Sequence, residues 1–201
     1  MASTYLSRTI GTPTLSNKFT ISVWVKRAEL SSSGMNAMCG TQGNGSHATQ
    51  FFFDGAPLRF YDNFSSTDVI TNRKFRDTTA WFHVVAAIDT SQSTAADRVK
   101  IYVNGTQETS FATSNEYSQN DTNSFNNDYT NYIGDGGQAN KYLDGCLAHF
   151  HFVSGTKYVA TDFGEFDSNG VWKPKPSPSI TYGNNGYFIL KDANGVTDQS
   201  G

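Results

Sequence analysis

The stretch Phe19-Thr20-Ile21-Ser22-Val23-Trp24-Val25 decides the fold class. Phe19, Ile21, Val23 and Val25 alternate with Thr20, Ser22 and Trp24, and Lys26 continues the pattern. A period of two sends the two sets to opposite sides of an extended chain, so the stretch reads as a half-buried strand; a helix would need apolar residues three and four apart. Further along, Phe51 to Phe53 and Leu58 to Asp62 flank Asp54-Gly55-Ala56-Pro57, a hairpin signal. Trp81 to Ile88 is almost wholly apolar and suits a central strand covered on both faces. Val99-Lys100-Ile101-Tyr102-Val103 reaches Asn104-Gly105, whose residues tolerate the positive φ of a two-residue turn. Thr106 to Phe111 is then the return strand.

Composition agrees. The 201 residues include 19 Val and Ile against 7 Leu, and only 4 Glu, while Ser, Thr, Asn and Gly number 78. Helical proteins draw on Leu and Glu, whereas sheets draw on β-branched, aromatic and turn residues, so an all-α fold is excluded. A net charge of −3 gives no basic surface for phosphates, and nucleic acid is excluded as a partner. No apolar run approaches the roughly 18 residues of a membrane span, so membrane insertion is not expected.

Residues 113–131 are polar, with isolated Tyr117, Phe125 and Tyr129, and read as a long surface loop. Tyr132-Ile133-Gly134 restarts the sheet, and Tyr142 to Val153 forms a long strand. Phe163 to Trp172 looks irregular. Lys173 to Pro178 holds three of the five prolines and reads as extended chain outside any ladder. Tyr182 to Leu190 gives a last strand. The expected fold is all-β, a two-sheet antiparallel jelly-roll sandwich over residues 1–160, with a C-terminal extended tail over 161–201. Trp24 and Trp81 are expected in or beside the core. The tail, with Trp172 and Tyr182, either straps its own sandwich or packs on a neighbouring subunit.

The order of motifs resembles the concanavalin A-like lectin/glucanase superfamily, in its laminin G-like and pentraxin-like members. The resemblance rests on Phe19 to Val25, Trp81-Phe82-His83-Val84-Val85 with Asp89, Ile101-Tyr102-Val103-Asn104-Gly105, Tyr132-Ile133-Gly134 and Leu143-Asp144-Gly145-Cys146-Leu147-Ala148. Phe163-Gly164-Glu165-Phe166-Asp167, Val171-Trp172-Lys173-Pro174-Lys175 and Tyr182 to Phe188 look like a tail that accompanies this domain in bacteriophage virion proteins. The resemblance implies a non-enzymatic virion surface protein made in the host cytoplasm, serving as decoration, appendage or fibre module. Its implied partners are other virion proteins, further copies of itself and host surface polysaccharide. A stand-alone carbohydrate-binding or adhesion domain is the alternative, and a glucanase-type hydrolase a second.

Hydrolases of this superfamily place nucleophile and acid in Glu-x-Asp-x-x-Glu. Here Glu165-Phe166-Asp167 meets Gly170 where the second Glu belongs, so no catalytic residue is assigned. Glycan or partner contact falls to the aromatics Tyr117, Phe125, Tyr129 and Trp172. No cofactor is required, but relatives hold calcium at the sandwich rim, where Asp54, Asp62, Asn63, Asp135 and Asp144 are the oxygen ligands on offer. The same residues are ordinary turn formers. His149-Phe150-His151 puts two imidazoles on one strand face, with His83 as a third nitrogen for zinc, or as plain surface polarity. Cys39 and Cys146 read as small apolar strand residues.

Overall fold

The computed structural model describes residues 4–30, 35–42, 47–138, 141–192 and 195–200. Among them run β1 (Leu6–Thr9), β2 (Lys18–Arg27), β3 (Met35–Gln42), β4 (Thr49–Asp54) and β5 (Pro57–Asp62). β6 (Thr67–Lys74), β7 (Phe82–Asp89), β8 (Val99–Val103), β9 (Thr106–Gln107) and β10 (Phe111–Asn115) follow. The chain ends through β11 (Thr130–Ile133), β12 (Gly145–Ser154), the short helix α1 (Ala160–Phe163), β13 (Gly164–Phe166), β14 (Trp172–Pro174) and β15 (Tyr187–Ile189). Strand makes up 47% of the chain and helix 4%, so the all-β reading holds.

Two antiparallel sheets form a jelly-roll sandwich. One has seven strands in the order β1-β11-β3-β4-β5-β6-β10, the other six in the order β15-β12-β2-β7-β8-β9. Between them Phe19, Ile21, Val23 and Val25 of β2 meet Phe51, Phe53 and Phe60 across a core with no solvent exposure. The Asn104-Gly105 turn is a two-residue hairpin with Val103 opposite Thr106, and both φ angles are positive, 47° and 83°.

The return strand is shorter than expected. β9 stops at Gln107, and Phe111 already belongs to the other sheet, paired with β6. Glu108 draws the chain across: its buried carboxylate meets Arg73 of β6 at 2.6 Å, and Ser110 accepts from the Asn72 amide.

Residues 113–131 are a surface loop only in part: Ser118 to Asn120 are exposed, but the aromatics turn inward. Tyr117 and Phe125 have no exposed surface, and Asn123, Ser124 and Asn126 are buried beside them. Asp62 holds the segment down, accepting from Tyr117 Oη at 2.8 Å and Thr49 Oγ1 at 2.7 Å. Thr49 Oγ1 in turn accepts the amides of Ser124 and Phe125. Asn126 Nδ2 donates to the carbonyls of Leu15 and Lys18, so an amide side chain stands in for a missing strand partner.

The C-terminal segment lies across its own sandwich. Phe163, Trp172, Tyr182 and Phe188 cover Val85, Ala87 and Val153 on the outer side of the six-stranded sheet, forming a second apolar cluster. Lys173 and Pro174 are in a ladder after all, opposite Glu165 and Gly164. This strap also buries Thr20 and Ser22, the polar half of the β2 alternation. Trp172 stacks on His83, and its Nε1 donates to His83 Nδ1 at 3.1 Å. Trp24 is half-buried, packed against the edge of the cluster under the strap, whereas Trp81 departs from expectation and is 41% exposed. Cys146 is exposed, unlike the buried Cys39.

A Cβ on Gly105 would lie 2.6 Å from the Trp172 ring and hold an alanine at positive φ. Gly105→Ala is expected to cost about 2–4 kcal/mol, more than the turn penalty alone, in urea unfolding. The strap interface is also acid-sensitive. Burial pushes His83 down to about 3, and His151, whose Nδ1 pairs with Tyr182 Oη at 2.7 Å, well below its ordinary value. Unfolded histidines take protons near pH 6.5, folded ones resist, so stability is whole above that pH and falls below it by about 1.4 kcal/mol per pH unit per buried histidine. The melting temperature should hold level above pH 7 and drop steadily toward pH 4; a flat profile would mean that these histidines titrate normally.

Candidate functional site

Alternation in the seven-stranded sheet sends Phe51, Phe53, Leu58, Phe60 and Val69 into the core. Gln50, Phe52, Arg59, Tyr61, Asp68 and Ile70 therefore point to the outer face. Register aligns them in two rows across the sheet. Gln50, Tyr61, Asp68 and Asn115 sit opposite one another in one row, and Ala37, Phe52, Arg59, Ile70 and Thr113 in the next.

Arg59 is the fixed point of this face. Its Nε and Nη2 donate to the two carboxylate oxygens of Asp68 at 2.8 and 2.9 Å, and Nη1 donates to Asp54 at 2.9 Å. The guanidinium carbon lies 5.6 Å from the Phe52 ring and 5.0 Å from the Tyr61 ring. Burial opposes its charge, but the hydrogen bonds and attraction of Asp68 and Asp54 outweigh that and raise its pKa. At one side the chain after β11 closes over the sheet, with Gln50 Nε2 donating to the Gly136 carbonyl at 2.8 Å. The result is a half-exposed platform of one aromatic ring, one guanidinium and two carboxylates, all held in place by neighbours. Such a surface can exchange hydrogen bonds in both directions with a hydroxylated ligand.

The residues singled out from sequence lie elsewhere. Tyr117 and Phe125 are core anchors with nothing to present to a ligand, and Trp172 is buried between the strap and the six-stranded sheet. Tyr129 is half-buried at a rim, stacked on His47, which also packs on Phe64. The five proposed calcium ligands fall at three places. Asp54 pairs with Arg59 at one end of β5, and Asp62 and Asn63 sit at the other, where Asp62 serves Tyr117 and Thr49 while Asn63 Oδ1 accepts the Ala48 amide. Asp135 accepts from the Gly137 amide, and Asp144 lies beyond the bridge between Asp135 and Tyr142. Among the described residues, no three His, Cys, Asp or Glu side chains converge. The histidine pair is broken as well: His149 sits at a bulge with φ 47°, and His151 is sealed against Phe188 and Tyr182.

A cleft of about 630 Å³ opens on the flank, between Tyr5 and Leu6 on one side and Leu143, Leu147 and Leu190 on the other. Its largely aliphatic walls suit a hydroxylated ligand less well than the Arg59 face does.

Two solved structures share the architecture, and a third is more distantly similar. A candidate carbohydrate-binding protein from Bacteroides ovatus has a TM-score of 0.51 at 15% identity, over 95% of this chain and 59% of that one. Domain 4 of AbnA, an extracellular arabinanase from Geobacillus stearothermophilus solved with arabinotriose, has 0.50 at 17%, over 72% and 64%. The LG4–5 domains of the mouse laminin α1 chain have 0.49 at 9%, over 92% and 44%. The chain thus spans less than two thirds of the length of each, and at these identities the likeness is one of fold. No curated protein matches it. The family model of laminin G type described as the concanavalin A-like lectin/glucanases superfamily matches residues 2–158, more than three quarters of the sequence, and the chain belongs to that superfamily.

Proposed function

We propose that this chain is a non-catalytic carbohydrate-binding domain that contacts glycan through the outer face of its seven-stranded sheet. The observation that carries this is Arg59, fixed by two carboxylates beside the partly exposed Tyr61 ring, with the fully buried Phe52 beneath it. A sugar ring offers C–H bonds to the negative face of an aromatic ring and hydroxyls to fixed donors and acceptors. Groups already held in place lose little entropy on binding, which a shallow site needs.

The carboxylates favour binding over hydrolysis. A glycosidase needs two on one face, about 5–10 Å apart, with room for substrate between them. Asp54 and Asp68 do share the outer face, but the space between them is filled by Arg59, which donates to both. The four glutamates are scattered: Glu29 is exposed after β2, Glu108 is buried against Arg73, Glu116 accepts from Ser114, and Glu165 pairs with Lys173 at 3.7 Å on the β13–β14 hairpin. The tail motifs between Phe163 and Phe188 support placing the domain on a virion surface, against other virion proteins and a host polysaccharide.

Electrophoresis through gels containing laminarin or agarose tests the binding face. Retardation by at least one is expected, and Arg59→Ala or Tyr61→Ala should weaken it about tenfold or more, a loss of about 1.4 kcal/mol. Glu165→Gln should leave it unchanged, with no reducing sugar released by either protein. Turnover that Glu165→Gln abolishes would make the domain an enzyme instead.

A further inference from the structure

The six-stranded sheet is unfinished along one edge. β12 is 10 residues long, and β2 pairs with it along both halves of that length. On its other side β15 covers only Phe150, His151 and Phe152. His149 still donates to the Leu190 carbonyl at 2.9 Å, but Leu190 takes a φ of 59° and the chain leaves the sheet there. Among the described residues, Gly145 to Ala148 therefore have no strand beside them on that flank.

The alternation of an antiparallel ladder fixes which groups are left over. Ala28 donates to the Asp144 carbonyl at 2.9 Å, so in the same register Cys146 and Ala148 bond to β2, and the main chain of Gly145 and Leu147 faces the other way. The next ladder agrees. Asn104 donates to the His83 carbonyl at 2.8 Å, so His83 faces β8, and Trp24 opposite it faces β12 at Ala148. No backbone group among the described residues reaches the N–H or C=O of Gly145 or Leu147 from the flank.

Bare strand edges are normally blunted or covered, because they pair with whatever chain arrives. This one opens into the flank cleft of about 630 Å³, which Gly145 and Leu147 line together with Leu6, Ile133, Leu143 and Leu190. Tyr5 stands in the same cleft, 46% exposed, with its ring centroid 5.7 Å from that of Tyr132 and 6.3 Å from that of Tyr142. Asp144 is the one charged residue of the lining, and it enters no ion pair among the described residues. An unpaired main-chain edge and an apolar cleft thus occupy the same place.

We propose that this edge takes an extended segment of a partner protein, which continues the line of β15 as an antiparallel strand on Gly145 to Ala148. A polypeptide supplies N–H and C=O groups at the spacing of the ladder, as no sugar or lipid does. Leu147 packs against the core, so the partner residues opposite Leu147 and Gly145 share that inner face and are apolar. The residue between them, opposite Cys146, faces outward and is free to be polar. The antiparallel direction brings the C-terminal end of the segment to Asp144, where a Lys or Arg meets an unpaired carboxylate. An edge this short falls far below the roughly 800 Å² per partner of a stable complex between folded domains, so the occupant is a linear segment and not a second sandwich.

The test titrates the full, isotope-labelled chain with the peptide acetyl-Thr-Val-Thr-Val-Lys-Thr-amide and follows its amide resonances. Saturable shifts at the Gly145 and Leu147 amides are expected, with slower hydrogen exchange at both once the peptide is bound. Two methylated peptides separate a ladder from apolar contact alone. Methylating the nitrogens of both valines removes the inter-strand donors and should abolish binding, whereas methylating the threonine between them, whose N–H points away from β12, should leave it within about twofold. Tyr5→Ala, at an exposed position, should keep the native melting temperature and weaken binding about tenfold, and a peptide with glutamate in place of its lysine should also bind more weakly. Equal binding of the two methylated peptides, or no shift at millimolar peptide, would overturn the proposal. So would Gly145 and Leu147 amides already slow to exchange in the free chain, whether its own residues or a second copy cover them.

Discussion

His83 holds the outer side of the molecule together. It stands on β7, the central strand, with Ser22 of β2 at one nitrogen and Trp172 of the strap at the other. Buried imidazole is stable there because both nitrogens have partners and the ring stays neutral. Trp172 reaches it only through clearance elsewhere. A Cβ at Gly105 or at Gly164 would enter the Trp172 indole. The β8–β9 turn and the start of β13, about 60 residues apart in sequence, are therefore constrained by one side chain. Local turn chemistry and tertiary packing require glycine at position 105 for separate reasons, and the two agree.

A second polar centre does comparable work at the other sheet. Asp62 lies among apolar residues with no exposure, a costly position for a carboxylate unless its oxygens are satisfied. Tyr117 and Thr49 satisfy one oxygen, and the amides of Phe64 and Ser65 approach the other. The chain from 117 to 126 follows its tyrosine inward and plugs the sandwich with Phe125, which stacks on Phe19 and meets Phe152 edge-on. Here polar side chains fix which segment fills the core, while Phe rings supply the buried area.

The strands were legible because alternation is a local property: β2, the β4–β5 hairpin and the Asn104-Gly105 turn all fall where period and turn chemistry put them. What was not legible depends on partners distant in sequence. Thr20 and Ser22 look like solvent-facing residues, and nothing near them announces a strap 140 or more residues later. Asn123, Asn126 and Asn131 look like loop formers, yet their amides replace backbone partners in the interior. Trp81 opens an apolar run that reads as a strand covered on both faces, but the run does not say how far along it the cover extends. The Arg59 platform is hidden in the sequence for the same reason. Arg59 and Tyr61 alternate with Leu58 and Phe60 like any polar face, and Asp68, which gives Arg59 its fixed geometry, arrives on the next strand.

A sheet face has consequences for how tightly such a domain can hold. Flat surfaces cover one side of a sugar ring and leave the other in water, so each contact is shallow and buries little area, and affinity per site stays modest. Rigid support compensates in part: Arg59 is held by two carboxylates, so little side-chain freedom remains to be lost. Strength then comes from the number of contacts made together, and it rises with the copies of the domain presented on one surface far faster than any single site could supply.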